Sequence, residues 1–460
     1  MTRMAETAPR LLLINPVSQY RVGLAHKNHD KTPPLCLGII AALTPRPWKT
    51  RIFDENYQQF RFREADLVGI TAYTPNAFRA YEIARHYRER NIPVVMGGIH
   101  ASMCPEEALN FVDAVVIGEA ENVWARVLAD FEAGRLQKIY RGTFPEMNNQ
   151  PIPRHDLQYP LYYWRSVQTS RGCPMNCDFC SVTSFNGGRF RMRPIGEVLD
   201  ELEAYHGDKR NIFFVDDNIG GINQQHRDRA KELFKGIIDR KMKFNWFSQT
   251  SVDFSDDPEA LKLAAASGCK LLLVGFETES TEALQSANKK SNLRHGAANY
   301  RHIIRKFHKE GIGVLGTFIF GMETDRPEDI TKRARFINRL NVDCIQTSIL
   351  TPYPGTILNR RMTEENRIAC SNYPHDWQYY NWEDIVIRHP HIEPADLAKR
   401  MTDGWKLMYN PLRLRLRFLQ TLLNTRSLET AGWSMAANFQ YRNIMFEKPI
   451  HYCRDENRDA

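Results

Sequence analysis

Short apolar runs, each answered by a stretch of helical periodicity, recur along most of the chain, and this alternation constrains its fold more than any other feature. The first five runs fall at Leu11–Pro16, Thr50–Asp54, Asp66–Thr71, Ile92–Gly97 and Asp113–Gly118, with helical patterns over Leu35–Leu43, Asn76–Glu89, Pro105–Phe111 and Asn122–Glu132. That α/β alternation predicts a Rossmann-like, doubly wound parallel sheet over residues 1–142. Residues 143–160, rich in Pro, Asn and Gln, predict an interdomain linker. A second series occupies residues 161–365, with strands at Val167–Ser170, Asn211–Asp216, Phe244–Thr250, Lys270–Phe276, Gly313–Phe320 and Asp343–Leu350. Helical patterns separate these strands too, which predicts a partial (β/α)6 barrel. Residues 366–460 read as a helical, aromatic region without strands, expected to cap the barrel mouth.

Directly after the first barrel strand comes Arg171-Gly-Cys-Pro-Met-Asn-Cys-Asp-Phe-Cys180, which sets Cys173, Cys177 and Cys180 in a C-x3-C-x2-C spacing. Three thiolates on one loop hold three irons of a four-iron, four-sulfur cluster and leave the fourth iron open. A structural zinc site would need a further ligand such as His155 or His206. The other six cysteines (Cys36, Cys104, Cys269, Cys344, Cys370 and Cys453) are scattered singly. They read as unpaired thiols in a reducing, cytoplasmic compartment. No run reaches the roughly 18 apolar residues of a membrane span, and the first ten residues are too polar and short for a secretory signal. A net charge of +8 over 460 residues is too mild to declare a nucleic-acid binder.

The cysteine spacing, with Phe179 just before the third thiol, resembles the signature of the radical S-adenosylmethionine (SAM) superfamily. The resemblance implies that SAM chelates the open iron of a 4Fe-4S cluster, and that one electron splits its sulfonium into methionine and a 5'-deoxyadenosyl radical. Residues 1–142 resemble the cobalamin-binding domain of one large subfamily through Pro33-Pro34-Leu35, Gly97-Gly98-Ile99-His100 and Gly118-Glu119-Ala120-Glu121. The D-x-H-x-x-G signature of mutase-type domains is absent after the first strand, which implies cobalamin held without a protein imidazole on cobalt. His26 and His29 read as solvated loop histidines. The paired glycines Gly97 and Gly98 would let a bulky ligand approach the backbone.

Active sites of such barrels lie where the strands end. By resemblance Asp216 at the second strand meets the SAM amino group, Gln249 and Glu277 at the third and fourth contact its carboxylate or ribose, and Thr317 at the fifth packs near adenine. Glu277 stands out independently, because a carboxylate ending the apolar run 271–276 is costly unless paired or ligand-bound. Asp217 has a competing reading as a helix N-cap.

In the last region Leu412, Leu416, Leu419 and Leu423 share one helical face, with Arg413, Arg415 and Arg417 beside it. An ordinary core-facing helix is the expected reading, and contact with a membrane surface or an anionic substrate is its rival. The expected function is cobalamin-dependent methyl transfer to, or rearrangement of, an unactivated carbon in a lipid-like or natural-product substrate. The carboxy-terminal segment is expected to control access for that substrate. An electron donor such as flavodoxin or ferredoxin is implied, and peripheral membrane contact is among the expected partners. The alternatives are a methylthio-transferase acting on tRNA or protein, and a non-catalytic zinc-binding or nucleic-acid-binding adaptor.

Overall fold

The computed structural model describes residues 8–20, 31–205 and 207–453. It divides into two compact units: one holds the chain up to Tyr163 together with Asn372–Gln378, the other Trp164–Ser371 with the chain from Tyr379 onward. His26, His29 and His206 lie outside the described residues.

In the first unit, strands β1 (Arg10–Asn15), β2 (Lys49–Asp54), β3 (Leu67–Thr71), β4 (Val94–Gly97), β5 (Ala114–Ile117) and β6 (Ile139–Arg141) form one parallel sheet in the order β2-β1-β3-β4-β5-β6. The runs Leu11–Ile14 and Leu67–Ile70 are wholly buried, as expected of strands covered by helices on both faces. The order reverses between β1 and β3, and the carboxyl ends at such a switch point are where doubly wound sheets bind ligands. β6 is a sixth strand beyond the five expected; three residues flanked by polar chain give too little apolar pattern to read.

The predicted linker instead packs within this unit. Met147 and Tyr162 are buried, Arg154 N donates to Gly38 O (3.0 Å), and the Tyr162 hydroxyl donates to Asp54. Asn372–Gln378 joins it as a strap: Trp377 stacks on Tyr373 (3.8 Å between centroids), and its Nε1 donates to both Glu107 oxygens at 2.9 and 3.0 Å.

The second unit opens with β7 (Trp164–Val167), which ends before the expected Ser170. Ser170 instead begins β8 (Ser170–Arg171), paired antiparallel with β9 (Arg191–Met192), so that a small hairpin brackets the three-cysteine loop. β10 (Asn211–Phe214), β11 (Trp246–Thr250), β12 (Cys269–Glu277), β13 (Gly313–Phe320) and β14 (Cys344–Ile349) complete a six-stranded parallel sheet in chain order from β7. Helices Ile195–Glu203, Gln224–Asp239, Pro258–Ala266, Tyr300–Lys309 and Pro327–Leu340 cross between its strands. Asn223 and Asp257 cap two of them by accepting from His226 N and Ala260 N. Trp246, fully buried, sits against Phe214 and Phe234 (5.4 and 5.3 Å). Burying side chains of this kind stabilises the unit by about 1.5–3 kcal/mol each.

The last helices do not cap the mouth. Leu428–Met445 lies across the amino-terminal ends of the strands: Thr430 Oγ1 donates to Gly311 O (3.0 Å), Asn438 Nδ2 to Asp343 O (2.7 Å), and Glu429 pairs with Lys270 (2.9 Å). Its polar side chains satisfy backbone groups at that rim, which explains the docking. The helix Pro411–Thr425 presents Leu412, Leu416, Leu419 and Leu423 to solvent at 64, 42, 51 and 76 % exposure, and buries Leu414, Arg417, Thr421 and Thr425. The core-facing reading of the leucine stripe is therefore reversed. The reading of all outlying cysteines as unpaired thiols is corrected as well, since Cys370 is joined to Cys453 across 83 residues of sequence.

Candidate active site

The three-cysteine loop leaves β8 at the carboxyl end of the barrel strands and is held in place by its backbone. Gly172 N donates to Asp217 Oδ2 (2.8 Å), Asp178 N to Ala287 O (3.3 Å), and Asn288 Nδ2 to Asn176 O (2.8 Å). These contacts turn Cys173, Cys177 and Cys180 toward one cavity of about 360 Å3. Burial pushes all three thiols above their ordinary range. Phe179, Gln249, Glu277 and Thr317 line the same cavity, so seven of the residues singled out by sequence converge there.

Glu277 ends β12 with φ +63°, at a bulge where the register with β13 shifts between Gly275 and Glu277. Asn292 Nδ2 holds the kink from behind by donating to Gly275 O and Phe276 O (2.9 and 3.1 Å), and Tyr300 OH donates to Phe276 O (3.0 Å). The kink aims the carboxylate at Lys289, whose Nζ lies 2.5 Å from Glu277 Oε1. A Cβ on Gly275 would meet that carboxylate at 2.5 Å, so the glycine makes room for the pair. Burial works against the charge on Lys289, but Glu277 and then Cys177 outweigh it and carry the ammonium pKa above its usual value.

Asp216, expected as a cofactor contact, does not line the cavity. It is fully buried and accepts from Thr169 N (2.7 Å), Thr169 Oγ1 (2.5 Å) and Ser170 Oγ (2.8 Å), which anchors the entry to the loop. Asp217 lines the cavity in its place, and burial raises its carboxyl to about 6 despite the Gly172 hydrogen bond. Neither aspartate caps a helix, since Asn223 caps the next one. Lys289 is absent from the expectations because it lies in a turn rather than at a strand end. Gln346 and Ser348 of β14 and Trp382 also line the cavity, and Tyr441 OH donates to Gln346 Oε1 (2.8 Å) from the helix beneath.

This donor set fits an iron–sulfur cluster better than zinc. Among the described residues lining the cavity there is no histidine, and His155 belongs to the other unit, with its Nδ1 2.8 Å from Gln158 Oε1.

In the first unit, Gly97 ends β4, paired with Thr71 of β3, and Gly98 follows it. Gly98 has φ +93°, and a Cβ there would meet Thr71 Oγ1 at 2.8 Å and Ala72 O at 2.9 Å, so the sheet edge itself requires this glycine. A Cβ on Gly97 meets only Val116, at 3.9 Å. Tyr73, 70 % exposed, follows β3, and exposed Cys36 reaches Thr71 Oγ1 (3.6 Å). A largely exposed aromatic side chain at the switch point fits the approach of a large planar ligand. The described histidines of this unit are engaged elsewhere: His86 stacks on Phe60, His155 meets Gln158, His375 meets Asp376 and Gln378 (3.1 and 2.9 Å), and His100 is fully buried between Tyr81 OH (3.0 Å) and Thr74 Oγ1 (3.4 Å). Exposed Tyr73 and the room at Gly97 fit a corrinoid at this edge.

A family model described as the radical SAM superfamily matches residues 167–337, and one described as a B12 binding domain matches residues 42–128. The bacteriochlorophyllide d C-8(2)-methyltransferase of Chlorobaculum tepidum is 30 % identical over 429 residues, spanning 87 % of this chain and 90 % of its own. The hopanoid C-2 methylase of Rhodopseudomonas palustris is 26 % identical over 388 residues, 80 % of this chain and 72 % of its own. Among solved structures, the radical SAM methyltransferase TsrM from Kitasatospora setae shares the fold with a TM-score of 0.71 at 17 % identity, covering 96 % of this chain and all of that one.

Proposed function

Since the chain belongs to the radical SAM superfamily, in the branch that carries a B12 binding domain, we propose that it is a cobalamin-dependent methyltransferase acting on an unactivated carbon of a large, mainly apolar small molecule. The observation that carries the reading is the convergence of three thiols, the Glu277–Lys289 pair, Gln249 and Thr317 on one cavity. Cys173, Cys177 and Cys180 would hold three irons of a four-iron cluster and would leave the fourth for SAM. When bound, the cluster and SAM supply a carbon-centred oxidant, and cobalamin supplies a transferable methyl.

This chain's residues bind and orient. Glu277, fixed by its bulge and by Lys289, offers one carboxylate oxygen to a SAM ammonium, and Lys289 offers positive charge to a SAM carboxylate. Gln249 and Thr317 supply neutral hydrogen bonds for the ribose and adenine, and Phe179 keeps water from the cluster side. The relatives named above act on a bacteriochlorophyllide and a hopanoid, which motivates the apolar substrate class. We place the enzyme in the cytoplasm, with electrons from a flavodoxin or ferredoxin.

The test is anaerobic purification with added cobalamin, followed by reduction in the presence of methyl-labelled SAM and apolar cell extract. Iron with acid-labile sulfide, 5'-deoxyadenosine, S-adenosylhomocysteine and label in an apolar product are expected together. Stoichiometric zinc, or no 5'-deoxyadenosine from cluster-loaded protein, would refute the reading.

A further inference from the structure

The helix Pro411–Thr425 is amphipathic in an unusual sense: its apolar stripe faces water and its polar face is buried. Leu412, Leu416, Leu419 and Leu423 fall within one narrow arc and are 42–76 % exposed. On the opposite side Arg417 is buried, with its guanidinium donating to Asn438 Oδ1 and Asn338 Oδ1 (3.2 Å each). That anchoring fixes the rotation of the helix, so the leucines cannot turn inward without stranding a charge. Arg413, Arg415 and Arg426 are all exposed and border the leucine arc. No acidic residue occurs between Gly404 and Leu428, a stretch that also carries Lys406.

We propose that this helix docks the protein on an anionic lipid surface. A stripe of four leucines, rimmed on both sides by arginines and free of carboxylates, matches the acyl–headgroup boundary of such a bilayer: the leucines enter the apolar layer and the arginines meet phosphates. A neutral protein partner would account for the leucines but not for the one-sided charge. No described helix is long and apolar enough to cross a membrane, so the contact is peripheral. The stripe lies toward the amino-terminal end of the barrel, where Thr425 approaches Gly311 just ahead of β13, whereas the cysteine cavity opens at the other end of the strands. Docking therefore tethers the enzyme near a membrane without covering its cavity. This inference is independent of the methyl-transfer reading.

The test is vesicle co-sedimentation of the full-length, cluster-loaded protein, comparing phosphatidylcholine alone with phosphatidylcholine containing phosphatidylglycerol. Two variants accompany it, Leu416→Gln/Leu419→Gln/Leu423→Gln and Arg413→Gln/Arg415→Gln/Arg426→Gln, each checked for unchanged circular dichroism and iron content. The native protein should pellet with the anionic vesicles only. The arginine variant should lose on the order of a hundredfold in partitioning, and the leucine variant about tenfold or more. Absence of native binding overturns the proposal, as does native-like binding by the leucine variant. A concentration-dependent dimer that the leucine variant dissolves, without vesicle binding, would overturn it in favour of a second copy of this chain. Should the leucine variant misfold, the arginine variant still decides, because native-like binding to anionic vesicles would remove the charge argument.

Discussion

Glu277 occupies a left-handed backbone conformation that costs a residue with a Cβ about 1–2 kcal/mol. Asn292, Tyr300 and Lys289 hold it there, so the surrounding contacts over-determine the strained conformation. Lys289→Met should leave a buried carboxylate unpaired and lower stability by about 3–5 kcal/mol. Lys289→Met/Glu277→Met should recover most of that loss but still bind SAM at least about tenfold more weakly, because one charge-assisted hydrogen bond is worth about 1.5–3 kcal/mol. Urea titration and calorimetric SAM binding separate the two effects, and native affinity in the double variant would reduce the pair to a structural role. Cys173→Ala/Cys177→Ala/Cys180→Ala should abolish iron retention and 5'-deoxyadenosine release while the circular dichroism stays native. The loop's own hydrogen bonds to Asp217, Ala287 and Asn288 do not involve the thiols. The cysteines, Gln249 and Glu277 were legible as cavity residues because motif spacing and strand ends mark them, whereas Thr317 reaches the cavity from inside β13, three residues before that strand ends. Lys289 was not, because only the bulge at Gly275 brings a turn residue to the cavity. Asp216 and Asp217 both lie in the loop past the end of β10, and contacts with Thr169, Ser170 and Gly172, which no local pattern marks, set which carboxylate anchors the loop entry and which lines the cavity.

Among the elements, short apolar strands were easy to place, since parallel strands buried on both faces leave an unbroken hydrophobic run. The helix Pro411–Thr425 was misread for a physical reason: a leucine stripe normally marks the core side, but here the buried side is built from Arg417, Thr421 and Thr425 with specific hydrogen bonds. The strap Asn372–Gln378 was also invisible, because nothing local marks Trp377 as a partner of Glu107, 270 residues earlier. Burial works against ionisation of Glu107, but the hydrogen bonds with His100, Trp377 and Tyr81 outweigh it and hold its carboxyl below the usual range. A depressed folded-state pKa gives stability that is present above the unfolded value of about 4.3 and is lost as pH falls through the folded value. Glu107→Gln should therefore weaken amide-exchange protection of residues 372–378 by about 1–2 kcal/mol at pH 7. The deficit should stay constant down to about pH 5 and narrow below about pH 4. A deficit that grows in acid would show that Glu107 is not ionised in the strap.

At the scale of the whole molecule, the Pro-, Asn- and Gln-rich stretch over residues 143–160 suggested a boundary near residue 142, whereas the first compact unit runs on to Tyr163 and takes in the strap. The difference matters for any attempt to isolate the B12 binding domain. Asp54, at the end of β2, is buried, and desolvation raises its carboxyl despite hydrogen bonds from Asn15 and Tyr162. A fragment ending at Gly142 loses Tyr162, the buried Met147 and the backbone bond from Arg154 to Gly38, and it leaves Glu107 without Trp377. Each lost buried partner costs about 1–3 kcal/mol, against a total stability of about 5–15 kcal/mol for a domain. Residues 1–142 alone should therefore unfold at low urea and bind no corrinoid, residues 1–163 should recover part of the stability, and the full chain purified with cobalamin should retain about one corrinoid per chain. Absorbance of the bound corrinoid and urea titration of the three proteins measure this. Gly98→Leu is a poor probe of the ligand because it strikes Thr71 and Ala72 first, whereas Gly97→Ala is tolerated by the sheet and reports on the ligand alone. A stable, corrinoid-binding fragment 1–142 would show that the segment 143–163 and the strap are ornaments of the domain, and a corrinoid-free full chain would leave the sheet as a scaffold without its cofactor.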